Sequence, residues 1–187
     1  MTELPRCRAL IYRFEQPATA PDDMDESLPA PASAQALNRA AREAHEEFLL
    51  LAPSGSRLTE ELSARSVRVL DDSSETLAVY PAHTSGEAGG RPLISQGPFR
   101  PALLMRRNTV GPVAVVRRRV WEELGGLRPS LASGQCIGMA LWDFWLRLVL
   151  AHPLPTSILR LPALLAQCPP GDWQRQGDDG RAKALLV

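Results

Sequence analysis

Few side chains in this 187-residue chain stand in patterns that do chemistry. Four acids crowd into one short stretch, Asp22, Asp23, Asp25 and Glu26. Clustered carboxylates can ligate a hard cation, but this stretch has no histidine and no glycine-turned ligand loop, so it reads as a solvated acidic loop. Asp143 and Arg147 stand four apart in an apolar, periodic segment, the spacing of a helical ion pair. Arg117, Arg118 and Arg119 are adjacent. On a helix, neighbours point about 100° apart, so the three do not converge on one anion. Cys7, Cys136 and Cys168 are odd in number and lie in no CxxC or Cys/His spacing, which fits free thiols in a reducing compartment.

Composition narrows the classes further. Lys plus Arg equals Asp plus Glu at 21 each, so no global field draws the chain to nucleic acid or to an anionic membrane. No apolar run approaches the ~18 residues of a spanning helix, and no basic start with an apolar run marks a secretory leader. The expectation is one cytoplasmic domain over 1–187, with a Pro- and acid-rich loop at 15–33 and a polar tail at 169–187. In that tail Trp173 is a candidate anchor.

The elements that must position these groups alternate in type. Cys7 to Phe14 reads as a strand with Ala9, Ile11 and Phe14 on one face. Ser33 is placed to cap a helix over 34–46 whose apolar stripe is Leu37, Ala40, Ala41 and Ala44. Phe48–Ala52 is so continuously apolar that it predicts a strand buried on both faces, broken by Pro53, Ser54, Gly55 and Ser56. A helix over 59–66 and a strand over 77–80 follow, then a long loop from His83 to Pro101. A strand at 113–116 leads into a helix that begins at the arginines and stops at Gly125-Gly126. Leu141, Trp145 and Leu148 give a helix over 138–151, and 157–161 reads as a last strand. This order predicts an α/β fold with a mixed, largely parallel sheet flanked by helices.

In order and spacing, Leu37-Asn38, Glu47-Phe48, Arg57-Leu58, Arg117-Arg118, Leu124-Gly125-Gly126 and Trp142-Asp143-Phe144-Trp145-Leu146-Arg147 resemble the second half of a family 2 glycosyltransferase with a GT-A fold. The resemblance covers roughly residues 34 to 165. It implies a truncated GT-A-like sandwich and, in an active member, an Asp-x-Asp turn after the central strand that holds a divalent cation against a sugar-nucleotide diphosphate. At that turn this chain has Pro53, Ser54, Gly55 and Ser56, none of them an anionic ligand. The resemblance also implies an acidic general base just before the Trp-Asp helix, where Met139, Ala140 and Leu141 stand instead, leaving Asp143 as the one weak catalytic candidate. The strands that would cradle the nucleotide base lie upstream of anything this chain contains.

These departures lead us to expect a degenerate, non-catalytic protein that binds a partner, with no cofactor and no metal. The alternative is an active hexosyl-type transferase that is metal-independent or completed by a partner chain, with Arg57, Arg106 and Arg107 as diphosphate contacts. A protein partner or a homodimer is expected, because a sheet that has lost its neighbouring strands presents a bare edge. Asp22, Asp23, Asp25, Glu26 and Trp173 are the candidate contacts. A nucleotide-sugar ligand is disfavoured, and neither nucleic acid nor a membrane span is expected.

Overall fold

A computed structural model describes residues 6–12, 33–85, 99–132 and 137–169. Among these residues, six strands form one mixed sheet: β1 (Cys7–Tyr12), β2 (Phe48–Pro53), β3 (Arg57–Leu58), β4 (Ala78–Ser85), β5 (Ala114–Arg117) and β6 (Ile158–Cys168). Their spatial order is β1-β2-β5-β4-β6-β3. β1 pairs parallel with β2 and β4 with β6, while β5 runs antiparallel to both its neighbours and β3 antiparallel to β6. Four strands therefore point one way, and their carboxyl ends share one edge of the sheet.

Side-chain alternation assigns the two faces. Leu49 and Leu51 of β2, Ala114 and Val116 of β5, and Ala78 and Tyr80 of β4 face one core cluster. That cluster is closed by α1 (Ala34–Glu43), α3 (Pro101–Leu104), α4 (Arg118–Glu123) and α5 (Ile137–Ala151). Phe48, Leu50, Ala52, Val79 and Val115 face the opposite cluster, closed by α2 (Glu61–Asp72) through Leu62 and Leu70. The sheet is thus covered by helices on both sides. α5 is buried nearly all round, with Leu141, Trp145 and Leu148 in the core as their spacing predicts.

The sheet has to curl. β2 and β3 lie four strand spacings apart in the sheet order, about 19 Å if it were flat. The chain from Pro53 to Arg57 reaches at most about 15 Å. The curl is made in β6, whose pairing with β4 slips between Pro81 and His83 so that Leu161 and Leu164 fall opposite Pro81 and Ala82. Pro162 and Ala163 sit in that slip, a place where a proline without an N–H costs the ladder nothing. The carboxyl half of β6 then meets β3 at Arg57↔Gln167 and Leu58↔Ala166.

Five details differ from the sequence reading. In β1 it is Leu10, not Ala9, that enters the core, because Leu10 lies opposite Leu51 and both face the α1 side. β6 runs seven residues past 161, to Cys168. α2 extends to Asp72, and β4 continues through His83 to Ser85. Arg117 closes β5 rather than opening a helix.

The arginine triplet diverges, with Arg117 ending β5 and Arg118 and Arg119 opening α4. Arg117, buried, donates to the carbonyls of Leu70, Ser73 and Thr76 and so caps the end of α2. Arg118 reaches Glu46 O and the Glu122 carboxylate, and Arg119 turns toward Ser74 O. No helix among the described residues is long and apolar enough to cross a membrane.

Candidate functional site

In open α/β sheets a ligand crevice forms outside the carboxyl ends of co-directional strands. On that edge lie the end of β2, the end of β4, the approach to β5 and the end of β6.

At the end of β2 the chain makes a tight turn. The Ser56 N–H donates to Pro53 O at 3.2 Å, and Gly55 takes a φ of 79°, a left-handed conformation that glycine adopts without a Cβ penalty. Pro53 is buried, Ser54 and Ser56 are half-buried, and Gly55 is exposed. The turn is packed against the end of β6: a Cβ on Gly55 would lie 4.0 Å from Pro169 Cγ, and Thr59 N–H donates to Leu165 O at 3.0 Å. Burial pushes the Cys168 thiol up to about 11, with the neighbouring Ser56 hydroxyl pulling weakly the other way. Cys7 is likewise raised to about 11 by burial. Both thiols stay protonated near neutral pH and are poor nucleophiles.

The end of β4 carries a residue that the sequence reading assigned to a loop. His83 is buried, and its ring packs on Gly111, where a Cβ would meet His83 Cε1 at 2.8 Å. Gly111 has a φ of 81°. Its approach is set by Asn108, whose Oδ1 accepts from the N–H groups of Val110 and Gly111 at 3.2 and 3.3 Å. An Asn three residues before a Gly is a readable turn signal. Burial lowers the His83 pKa to about 4, opposed by a hydrogen bond with the Pro81 backbone.

That shift has a pH consequence. The unfolded imidazole titrates near 6.5 and the folded one near 4, so the unfolded chain binds more protons between them. The stabilisation is complete above pH 6.5 and is lost as pH falls toward 4. Its size is at most about 3 kcal/mol at 1.36 kcal/mol per pKa unit. Urea unfolding of the protein and of His83→Asn at pH 7.5 and pH 4.5 isolates it: the stability drop on acidification should be smaller by about 2 to 3 kcal/mol in the variant. Equal drops would contradict the assignment.

Asp143 lies on α5 with its carboxylate committed to two arginines, Arg147 at 2.8 Å and Arg128 at 3.3 Å. Arg147 in turn donates to Leu124 O at 2.5 Å and Gly126 O at 2.7 Å. The pair therefore clamps the Gly-Gly turn after α4. Asn38 of α1 completes the clamp, donating to Leu127 O at 2.7 Å and accepting from Leu127 N–H at 2.8 Å.

Arg57 is exposed on β3 directly after the β2 turn, and Arg106 and Arg107 are exposed in the turn that ends α3. Asp22, Asp23, Asp25, Glu26, Cys136 and Trp173 lie outside the described residues. Among the described residues no group of three or more His, Cys, Asp or Glu side chains could hold a metal ion. The turn at 53–56 offers only two hydroxyls and backbone carbonyls, which does not fit the anionic oxygen set that a divalent cation bridging a diphosphate needs.

No protein-family model matches the sequence, and no curated protein matches it. Among solved structures, the fold is similar to S. aureus TarS 1-349, with a TM-score of 0.53 and 13% identity over 73% of this chain and 40% of that one. The same portion of TarS in complex with UDP matches over 74% and 40%, and in complex with UDP-GlcNAc over 74% and 39%, both at TM-score 0.53 and 13% identity. The fold is glycosyltransferase-like. This chain spans about two-fifths of the TarS portion that it matches. At this identity the likeness speaks to the fold alone.

Proposed function

We propose that this protein is a non-catalytic, glycosyltransferase-like subunit that acts by binding a protein partner in an enzyme complex. One observation carries the reading. The turn at the carboxyl end of β2, where a metal-dependent transferase holds its carboxylates, is Pro53-Ser54-Gly55-Ser56, folded tightly against Pro169 and Cys168. Asp143 adds support, since its carboxylate is taken up by two arginines, Arg147 and Arg128.

The sheet edge supports a partner. Among the described residues β1 has a neighbour on one side only, and the Phe48 N–H donates to Arg6 O, so in a parallel ladder Cys7 and Ala9 direct their backbone groups away from β2. An edge of this kind is covered in most proteins, here by a heterologous partner or a second copy.

The second reading is an active, metal-independent transferase that uses Arg57, Arg106 and Arg107 against the diphosphate. The exposure of these arginines favours it. A turnover assay separates the two. With UDP-GlcNAc and a mixture of acceptor sugars and peptides, with and without Mn2+, the first reading predicts no UDP release above the buffer blank. Release that scales with protein and falls on Arg107→Gln would establish the second.

A further inference from the structure

β1 is held to the sheet more by charge than by core. Of its described side chains only Leu10 is fully buried; Cys7 is half-buried, and Arg8 and Ala9 are exposed. By contrast β2 and β5 are buried at every position. β2 pairs with β5 on its far side, so the place of β2 in the sheet does not depend on β1. A segment with few buried apolar contacts and exposed backbone bonds is one that opens locally, ahead of the fold.

Residues 6–12 carry two arginines and no acid, and both arginines are met by acids of the body. Arg6 donates from Nη1 to Asp71 Oδ2 at 2.6 Å and from Nη2 to Asp71 Oδ1 at 3.0 Å, a bidentate pair. Its Nη2 also donates to the Glu47 carboxylate. The same guanidinium lies 5.2 Å from the centre of the Phe48 ring, which Arg117 approaches at 5.6 Å. Arg8 pairs with Glu46 at 3.5 Å. Glu46 and Glu47 lead into β2 and Asp71 stands in the last turn of α2, so Arg6 ties the start of β1 to both elements. Arg6, Glu47 and Asp71 stay 45%, 55% and 42% exposed, which leaves their pairs open to screening by salt.

We propose that β1 is a strap held by a charge latch, Arg6 on Asp71 and Glu47 with Arg8 on Glu46, and that it opens as a unit while β2, β5 and the rest of the sheet stay formed. Opening bares the backbone of β2 along the edge that begins beside Glu46, Glu47 and Asp71. The inference stands apart from the partner-binding reading, since it concerns how β1 is held and not what the protein binds.

Amide hydrogen exchange of the full chain, followed by NMR at neutral pH, tests the proposal. The Arg8 and Leu10 N–H groups face β2, because they share the parity of Arg6, whose carbonyl accepts from Phe48. In about 0.1 M NaCl both should exchange at least about tenfold faster than the β5 amides, once intrinsic rates are divided out. Raising the salt to about 1 M shortens the screening length from about 10 Å to about 3 Å and should speed Arg8 and Leu10 about fivefold, with β5 changing less than about twofold. Arg6→Gln should speed the same two amides about tenfold at the lower salt and remove most of the salt effect. A control, Glu61→Gln, breaks the exposed Arg65 pair on α2 and should leave Arg8 and Leu10 within about twofold of the unmodified protein. Circular dichroism establishes that both variants are folded. Equal protection of the β1 and β5 amides overturns the strap, since β1 would then open only with the whole fold. Salt-independent exchange at Arg8 and Leu10 overturns the latch, as does an Arg6→Gln variant that exchanges as the unmodified protein does. Acceleration of β5 alongside β1 in Arg6→Gln overturns both.

Discussion

Gly126→Ala should cost about 4 kcal/mol or more and leave little folded protein at 37 °C. Two effects add. Gly126 has a φ of 69°, where an L-residue pays about 1 to 2 kcal/mol. A Cβ built there would stand 2.2 Å from Asn38 Oδ1 and 2.8 Å from Trp121 Nε1, separations that no rotamer change in alanine relieves. Asn38 would have to withdraw, breaking both of its hydrogen bonds to Leu127 in a buried site at about 1 to 3 kcal/mol for each group left unpaired. The neighbouring glycine supplies the control. Gly125 has a similar φ of 72° but no atom within 4 Å of its Cβ position, so Gly125→Ala should cost only about 1 kcal/mol. Urea titrations of both variants decide the matter, and equal losses would refute the packing argument.

The second large effect is at Arg147. This guanidinium ties α5 to the turn after α4 through Leu124 O and Gly126 O while neutralising Asp143. Arg147→Ala removes three charge-assisted bonds from a largely buried site and should destabilise by about 3 to 4 kcal/mol. Lysine has one point-like head and cannot serve a carboxylate and two carbonyls in the fork geometry, so Arg147→Lys should recover less than half. Asp143→Asn keeps a hydrogen-bond acceptor and leaves Arg128 exposed to solvent, at about 1 to 2 kcal/mol. If Asp143→Asn and Arg147→Ala were both neutral to thermal unfolding, the clamp would not be what these residues are for.

Local patterns in the sequence carried as far as their period allowed. The apolar run of β2, the stripe of α5 and the Gly-Gly stop were legible because each is written within one or two turns of chain. β3 was not, being two residues long and existing only because β6 curls to meet it. The length of β6 was hidden by Pro162, which reads as a strand terminator unless its place in a pairing slip is known. Which face of β1 enters the core was not legible, because the strand alternates evenly and only its register with β2 chooses between the two sides. At the site, the Asp143–Arg147 pair could be read from its spacing, whereas Arg128, the turn carbonyls and Asn38 come from elements that only the tertiary fold brings together. His83 gave no signal beyond a strand that continues past a proline.

Binding of a nucleotide sugar tests the central reading more directly than turnover, since a chain with no carboxylate in the 53–56 turn can fail to react and still bind. Isothermal titration of the full chain with UDP-GlcNAc, in the presence and absence of Mn2+, should give no saturable heat up to about 1 mM ligand, an affinity weaker than about −4 kcal/mol. A saturable response in the micromolar range, strengthened by Mn2+, would contradict the account.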